Sequence, residues 1–259
     1  DKTREILFIR KSDNHTKVWE GEKLSKKQAN ELSGIDSIYF IDDFKDILSS
    51  IASQVDTFYI NKNEHYRANS PVETREDRFI SWLLKKYPAH NVAKSNPILQ
   101  RQRSIKHPDE IDQIKKACDI TRKGFNRVLE FIKPNVWEYE IEAEFIHEFI
   151  NSSSKGFAYS PIIASGNDNN VLHYIKNNKQ CKSGELILMD VGAEYGNYSS
   201  DMTRTVPVSG KYSKRQKEIY NAVLRVKNEA TKLLTVGNNW KIFHEQVGEI
   251  MTKELLEVR

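Results

Sequence analysis

Residues 185–205 decide the fold, and they read ELILMDVGAEYGNYSSDMTRT. Residues 186–191 form a short apolar run and residues 198–208 are rich in aromatic and β-branched side chains, so both parts have the composition of β-strands. Tyr195 and Gly196 lie between them, where a short connection containing glycine is typical of a β-hairpin. The sequence therefore predicts two antiparallel strands joined at residues 195–196.

The predicted hairpin brings two acidic residues together. A turn centred on residues 195–196 makes Asp190 and Asp201 direct cross-strand partners, with Cβ atoms about 5 Å apart. Like charges this close repel, and Asp190 follows four apolar residues, which indicates partial burial and makes an unpaired charge costly. A divalent cation would relieve both problems, because carboxylate oxygens bind hard ions such as manganese and magnesium.

A second interpretation of the two aspartates needs no metal. Both carboxylates would then be solvated beside the turn, and Asp201 would pair with Arg204 or with a lysine. The metal hypothesis also depends on the register, because a one-residue bulge would send the two carboxylates to opposite faces of the hairpin.

The chain divides into two parts of different pattern. Residues 1–103 alternate predicted strands and helices, which is typical of an α/β domain, whereas residues 104–259 place long helices on both sides of the strands, which is typical of an α+β domain. Residues 100–108 (QRQRSIKHP) contain one apolar residue and end in proline, which indicates a linker. The predicted helices are 24–32, 42–55, 75–87, 109–134, 137–152, 213–237 and 240–259, and the other predicted strands are 5–10, 35–41 and 57–60.

Composition excludes several classes of protein. The net charge of +4 is dispersed along the chain, whereas a nucleic-acid-binding protein concentrates Lys and Arg on one surface. No run approaches the roughly 20 apolar residues that a membrane span needs. Two cysteines, Cys118 and Cys181, are too few for a disulfide framework or a thiolate zinc site, which favours a reducing compartment. Because no leader follows Asp1, we expect a cytoplasmic protein.

His173, within NVLHY at residues 170–174, is a candidate functional residue, although a lone histidine is more often an ordinary surface residue. Cys118 is interpreted as a core residue, and the stripe of Phe243, Val247 and Ile250 as an apolar face that needs a partner. A solvated charged face is predicted for Glu138, Glu140, Glu142, Glu144 and Glu148. The remaining histidines form no paired metal-binding spacing and receive no role: His15, His65, His90, His107, His147 and His244.

Four segments resemble one known family. They are residues 170–174 (NVLHY), 188–195 (LMDVGAEY), 198–212 (YSSDMTRTVPVSGKY) and 216–220 (QKEIY). Their residues, order and spacing resemble aminopeptidase P, the Xaa-Pro aminopeptidase branch of the creatinase and methionine aminopeptidase "pita-bread" family. The resemblance is close over residues 109–250 and looser over residues 1–100, where VWEG at residues 18–21 resembles part of the family's N-terminal domain.

The resemblance implies a fold and a site. Residues 1–103 would form a partial creatinase-like α/β domain, and residues 104–259 the first part of a pita-bread catalytic domain that is incomplete at its C-terminus. Asp190 and Asp201 would be the first two of five ligands to two divalent metal ions, usually manganese. His173 would be a catalytic histidine that binds the substrate and stabilises the transition state.

The implied enzyme is a metallo-aminopeptidase. It would remove the N-terminal residue from peptides with proline in second position, so such peptides are the expected partners, with neither nucleic acid nor a membrane. Formation of a homo-oligomer is left open.

Two alternatives to this function stay open. A prolidase would cleave Xaa-Pro dipeptides, although the TRTVP run at residues 203–207 favours the aminopeptidase. A non-catalytic pita-bread module would bind peptides or proteins after losing its metal centre. The retained Asp190, Asp201 and His173 argue against that module, whereas the family's other ligands, a histidine and two glutamates, lie beyond this sequence and argue for it. We therefore expect the 259 residues alone to bind metal weakly and to lack appreciable peptidase activity.

Overall fold

The structure of the chain, a computed structural model, describes residues 5–62 and 70–259. It contains two compact units, Asp1–Ile105 and Lys106–Arg259. His65, which received no role from the sequence, lies outside the described residues. None of the described helices combines the length and the hydrophobicity that crossing a lipid bilayer requires.

The first unit is built from parallel strand pairs and helices. β1 (Leu7–Ile9) pairs with β2 (Ile38–Phe40), and β3 (Thr57–Ile60) pairs with β4 (Asn91–Lys94), both in parallel. Parallel strands need a crossover connection, which helices supply here. The helices between β1 and β2 are α1 (Asn14–Glu20) and α2 (Lys26–Ser33), and the helix between β3 and β4 is α4 (Arg75–Lys86). A 3-10 turn (Ile41–Asp43) leads into α3 (Phe44–Ala52) between β2 and β3, and α5 (Asn96–Ser104) follows β4. The predicted α/β class is confirmed.

Local signals explain the ends of α2. The Ser25 hydroxyl accepts a hydrogen bond from Gln28 N at 3.2 Å, and the Gln28 side chain accepts one from Ser25 N at 2.9 Å, which together form a capping box. Gly34 ends the helix in the left-handed conformation with φ 71°, where a side chain would be strained. The helix predicted at residues 24–32 is therefore confirmed.

The linker prediction was wrong for residues 100–104, which form the last part of α5. The large apolar residues of α1 are the adjacent Val18 and Trp19, and those of α5 are the adjacent Ile98 and Leu99, so neither helix shows an apolar stripe at helical spacing. β4 was also missed, because its four residues, NVAK, include a polar residue at each end.

The second unit packs helices against an antiparallel sheet. The sheet has the order β5-β6-β9, formed by Ile162–Ser165, Leu186–Val191 and Met202–Pro207. A two-stranded ribbon of β7 (Glu194–Tyr195) and β8 (Tyr198–Ser199) extends from β6 and β9. Around these strands lie α6 (Pro108–Phe131), α7 (Glu138–Asn151), a 3-10 turn (Gly166–Asn170), α8 (Lys214–Leu233) and α9 (Trp240–Glu257).

Alternation along β6 separates two faces of the sheet. Ile187, Met189 and Val191 are fully buried in a core that they share with α6 and α7. Leu188 and Asp190 lie on the opposite face, because successive strand residues alternate. We call this second face, which points away from the core of α6 and α7, the distal face.

The predicted hairpin exists, but its predicted register was wrong by two residues. Asp190 is paired with Thr203 rather than with Asp201, and Tyr195 is paired with Tyr198. The turn residues are therefore Gly196 and Asn197, whose φ angles of 58° and 66° match a type I′ turn. A shift of two residues preserves the strand alternation, so Asp201 still lies on the same face of the hairpin as Asp190.

Two predictions about single residues were also wrong. Glu138, expected on a solvated face, is fully buried at the start of α7. Cys118, expected in the core, is exposed, because α6 turns Ala117, Ile120 and Thr121 inward instead.

The apolar stripe predicted on the last helix has a partner within the chain. Phe243, Val247 and Ile250 are half-buried, and α9 packs against α8. Arg225 on α8 also donates a hydrogen bond to Glu254 on α9 at 2.8 Å.

Candidate metal centre

Asp190 and Asp201 meet at a single tyrosine. The Tyr159 hydroxyl lies 2.7 Å from Asp190 Oδ1 and 3.0 Å from Asp201 Oδ1. Both carboxylates therefore point into the same small volume, despite the difference in register. A phenol carries one hydrogen, so the two acidic oxygens share a single donor.

The environment keeps the Tyr159 phenol protonated. Burial raises its pKa well above the usual range, and the hydrogen bonds to Asp190 and Asp201 raise it further. Tyr159 therefore acts as the donor to both carboxylates over the whole physiological range of pH. Among the described residues, Lys, Arg and His form no ion pair with either aspartate, and Arg204 donates to Thr203 O instead. The pairing of Asp201 with Arg204 is thus not observed.

Close backbone contact sets the position of Asp201. A Cβ atom added to Gly192 would lie only 1.9 Å from the carbonyl oxygen of Ser200, so only glycine fits where the two strands meet. Gly192 directly follows Val191, the last residue of β6, and Ser200 directly precedes Asp201. The absence of a side chain at Gly192 thus lets the segment that carries Asp201 approach the end of β6.

A buried hydroxyl cluster fixes the same ribbon to α6. Thr121 and Ser200 hydroxyls lie 2.6 Å apart, and both accept from Ala193 N, at 2.9 and 3.0 Å. Ser200 also donates to Ala193 O at 3.0 Å. Because all three residues are buried, these hydrogen bonds hold the backbone on either side of the carboxylate pair with little freedom.

His173 lies outside this cluster. It is exposed in the segment between the 3-10 turn and β6, and it makes no hydrogen bond with the rest of the described chain. Its neighbour Tyr174 packs on the distal face with Ile162, which is the cross-strand partner of Asp190. The segment that carries His173 therefore reaches the sheet face on which Asp190 lies, although His173 forms no hydrogen bond or ion pair with either aspartate.

The two carboxylates fit a divalent cation only as part of a coordination shell. Carboxylate oxygens suit hard cations, which take about six ligands. Within residues 5–62 and 70–259, however, no group of three or more His, Cys, Asp or Glu side chains could hold a metal ion. Asp190 and Asp201 can therefore supply one side of a metal site, and other ligands must supply the remainder.

Tyr159 was missed by sequence reasoning. It stands in FAYSP at residues 157–161, far from the hairpin, with no spacing that links it to either aspartate. The available signal was indirect: the half-buried carboxylate of Asp190, with a second carboxylate beside it, needs a hydrogen-bond donor.

The sequence of the chain matches the model of one known family over more than half of its length. The sequence model of metallopeptidase family M24 matches residues 112–258, which is more than half of the chain, so the chain belongs to this family. The model of the aminopeptidase P N-terminal domain matches residues 1–59. The family recognised from residues 109–250 is therefore confirmed.

Curated relatives share one name. The chain is 31% identical to Xaa-Pro aminopeptidase of Haemophilus influenzae over 98% of this chain and 56% of the relative. It is 29% identical to Xaa-Pro aminopeptidase of Escherichia coli K12 over 98% of this chain and 58% of the relative. The chain thus spans somewhat more than half the length of the curated relatives it matches.

Solved structures agree with the predicted fold class. A Bacillus anthracis protein assigned as an aminopeptidase P has a TM-score of 0.92 and 32% identity, over 98% of this chain and 60% of that one. A variant of Escherichia coli aminopeptidase P in complex with substrate has a TM-score of 0.86 and 28% identity, over 97% and 57% of the two chains.

Proposed function

We propose that this chain belongs to a metallo-aminopeptidase that removes the N-terminal residue from peptides with proline in second position. The observation that carries the proposal is the convergence of Asp190 and Asp201 on the Tyr159 hydroxyl, in a chain of family M24. The shared name of the relatives supports the substrate class. The names of these relatives favour neither the prolidase nor the non-catalytic module.

Asp190 and Asp201 would hold one side of a centre of two divalent ions, for which we propose manganese. Such ions, when bound, lower the pKa of water and polarise a peptide carbonyl. Tyr159 would fix the orientation of both carboxylates, as hydrogen-bonded partners of metal ligands generally do. The hydroxyl of Tyr159 contacts Asp190 Oδ1 at 2.7 Å and Asp201 Oδ1 at 3.0 Å, so Tyr159 is placed to orient both ligands.

His173 is proposed to bind the peptide. Its imidazole is exposed, so a ring N–H is free to donate to a substrate carbonyl oxygen. Negative charge develops on that oxygen during hydrolysis, and a donor placed beside it stabilises the transition state more than the ground state. Exposed apolar neighbours, Leu172 at 89% and Ile175 at 63%, offer further contacts to a peptide.

The test uses the protein expressed from its complete coding region, supplied with manganese. It should release the N-terminal residue from a Gly-Pro-containing peptide and much less from the matched Gly-Ala peptide. Asp190→Asn and Asp201→Asn should each lower kcat/KM by more than about a hundredfold, since even outer partners of metal ligands are worth 10- to 100-fold.

Asp112→Asn is the matched control, because Asp112 is exposed on α6 and its contact with Lys115 is a loose surface pair at 3.9 Å. It should leave the rate unchanged. Equal turnover of both peptides would contradict the proline preference, and full activity of either variant at Asp190 or Asp201 would contradict the metal site.

A cytoplasmic location completes the proposal, and cell fractionation tests it. Formation of a homo-oligomer stays open, and sedimentation of the same preparation measures it.

A further inference from the structure

Glu138 is a fully buried acidic residue that the reaction proposed above does not use. Both of its carboxylate oxygens accept hydrogen bonds. Oε1 accepts from the backbone N and the hydroxyl of Ser165, both at 2.7 Å, and Oε2 accepts from the Tyr174 hydroxyl at 2.8 Å and from Lys179 N at 3.0 Å. One side chain on α7 thus joins β5 to two points of the segment formed by residues 171–180, which carries His173.

The backbone of Glu138 binds the same segment. Glu138 N donates to Lys179 O at 2.9 Å, so Lys179 is held through both its N–H and its C=O. Hydrogen bonds between Cys181 and both Asn135 and Val136 continue this contact, each at 2.8 Å. The C-terminal end of the His173 segment is therefore fixed to the start of α7.

A second anchor lies one helical turn further along α7. Asn177 is buried in the left-handed conformation with φ 43°, and it accepts from Ile163 N at 3.0 Å. Its amide nitrogen donates to Glu142 at 2.9 Å and to Pro161 O at 3.0 Å. Glu138 and Asn177 thus satisfy the outer backbone N–H groups of β5, which is an edge strand, and in doing so they hold the His173 segment along that edge.

Tyr174, the residue directly after His173, is held by the same carboxylate. Its ring packs on the distal face with Ile162, Ala164 and Leu188, while its hydroxyl reaches Glu138. Burial raises the pKa of Tyr174, and the hydrogen bond to Glu138 raises it further, so the phenol keeps its proton and remains the donor. His173 itself stays exposed next to this fixed ring.

Stability of the fold does not by itself require a carboxylate at this position. A buried carboxylate is costly to desolvate, and well-packed apolar side chains often stabilise a fold equally well in its place. What a fully satisfied polar group adds is a defined arrangement of its partners. Here the partners are the edge of β5 and the segment that carries His173.

We infer that Glu138 is a positioning residue for His173: it fixes the backbone of residues 171–180 against β5 so that the imidazole is held ready for the peptide. This inference rests on the substrate-binding role proposed for His173. It places the control of that histidine on α7, on the side of β5 away from Asp190.

The first experiment uses the chain described here and measures amide hydrogen exchange. In Glu138→Gln an amide nitrogen replaces one carboxylate oxygen, so a donor takes the place of an acceptor opposite the groups that donate to Glu138. The backbone amides of residues 171–180 should therefore exchange roughly tenfold faster, as expected when a buried hydrogen bond is lost. Exchange in β6 should not change. Should Glu138→Gln fail to fold, Glu138→Asp retains the charge, withdraws the oxygens by one methylene, and should show the same local effect.

Phe149→Leu is the control for general loosening of α7. Phe149 is fully buried near the far end of the same helix and packs against Phe145 and Phe157. This variant should lower the melting temperature without faster exchange in residues 171–180. Unchanged exchange in Glu138→Gln and Glu138→Asp, or the same local increase in Phe149→Leu, would overturn the inference.

The second experiment is a double-mutant cycle in the protein expressed from its complete coding region. Glu138→Gln should lower kcat/KM for a Gly-Pro peptide roughly ten- to hundredfold, because small displacements of a substrate-positioning group are expensive. If Glu138 acts through His173, combining Glu138→Gln with His173→Ala should be no worse than His173→Ala alone. Losses that multiply would show a purely structural role and overturn the inference.

The two proposals can fail separately. Full activity of His173→Ala would overturn the role proposed for His173, and with it the catalytic part of this inference, whatever the exchange data show. Reduced activity of His173→Ala with unchanged exchange in both Glu138 variants would keep the proposed function and overturn the role of Glu138.

Discussion

At the scale of single residues, the candidate metal centre depends on one missing side chain as much as on its carboxylates. Asp190 and Asp201 come together because the backbones of Gly192 and Ser200 pass within contact distance. Tyr159 then supplies the donor that the two acidic oxygens share. In the sequence, no local pattern distinguishes Gly192 from other glycines of a hairpin.

Gly192→Ala should destabilise the second unit by about 3 kcal/mol, because the new methyl group would overlap Ser200 O and force the strands apart. Urea unfolding of the chain described here measures this loss. Gly248→Ala is the matched control: Gly248 lies in α9 with open space around its Cβ position, so the same change should be neutral or stabilise by up to about 1 kcal/mol. Equal stability of both variants would show that the close approach is not required.

At the scale of elements, hydrophobic period predicted those segments that have one buried face. β6 was predicted from its run of apolar residues, and α6 from apolar residues that recur at helical spacing. α1 and α5 were missed, because each has only two adjacent large apolar residues and no apolar stripe at helical spacing. The register failed for a different reason, because the sequence placed the turn at residues 195–196, whereas Gly196 and Asn197 form it.

Element-scale reasoning also explains why the prediction of two neighbouring carboxylates succeeded on a wrong register. Strand alternation has a period of two, so a two-residue error changes the partners and preserves the face. Tyr159 and Glu138 were beyond such reasoning, because their partners lie 31 to 42 and 27 to 41 residues away along the chain. Contacts of this kind depend on tertiary packing and leave no local pattern.

The type I′ turn of the ribbon provides a test at this scale. Asn197 adopts φ 66°, so Asn197→Ala should cost about 1–2 kcal/mol of stability. Asn197→Gly should retain the stability of the native turn, since glycine tolerates this conformation. Thermal unfolding of the two variants checks the difference, and a turn centred on residues 195–196 would instead leave Asn197→Ala harmless.

At the scale of the whole molecule, the residues of the candidate site all lie in one of the two units. The second unit, Lys106–Arg259, contains the paired carboxylates, Tyr159 and the His173 segment. The boundary between residues 103 and 104 stays a prediction, and limited proteolysis tests it: early cleavage inside residues 109–250 would count against it. The chain spans somewhat more than half the length of its curated relatives. Whether the chain alone is active depends on whether its own residues supply enough metal ligands.

We expect the 259 residues alone to bind manganese weakly and to show no appreciable release of the N-terminal residue from a Gly-Pro peptide. Asp190 and Asp201 supply at most four oxygens, and no third acidic, histidine or cysteine ligand joins them in the described part of the chain. Two metal ions that each take about six ligands cannot be held tightly by so few.

Calorimetric titration with manganese and a peptide-release assay measure both expectations, with the protein from the complete coding region as the comparison. A variant of the short chain with Asp190→Asn should bind manganese no better than the short chain itself, because one carboxylate is then lost. If instead the short chain turned over the peptide at a rate near that of the longer protein, ligands outside this sequence would be unnecessary. The assignment of Asp190 and Asp201 as part of a larger centre would then be wrong.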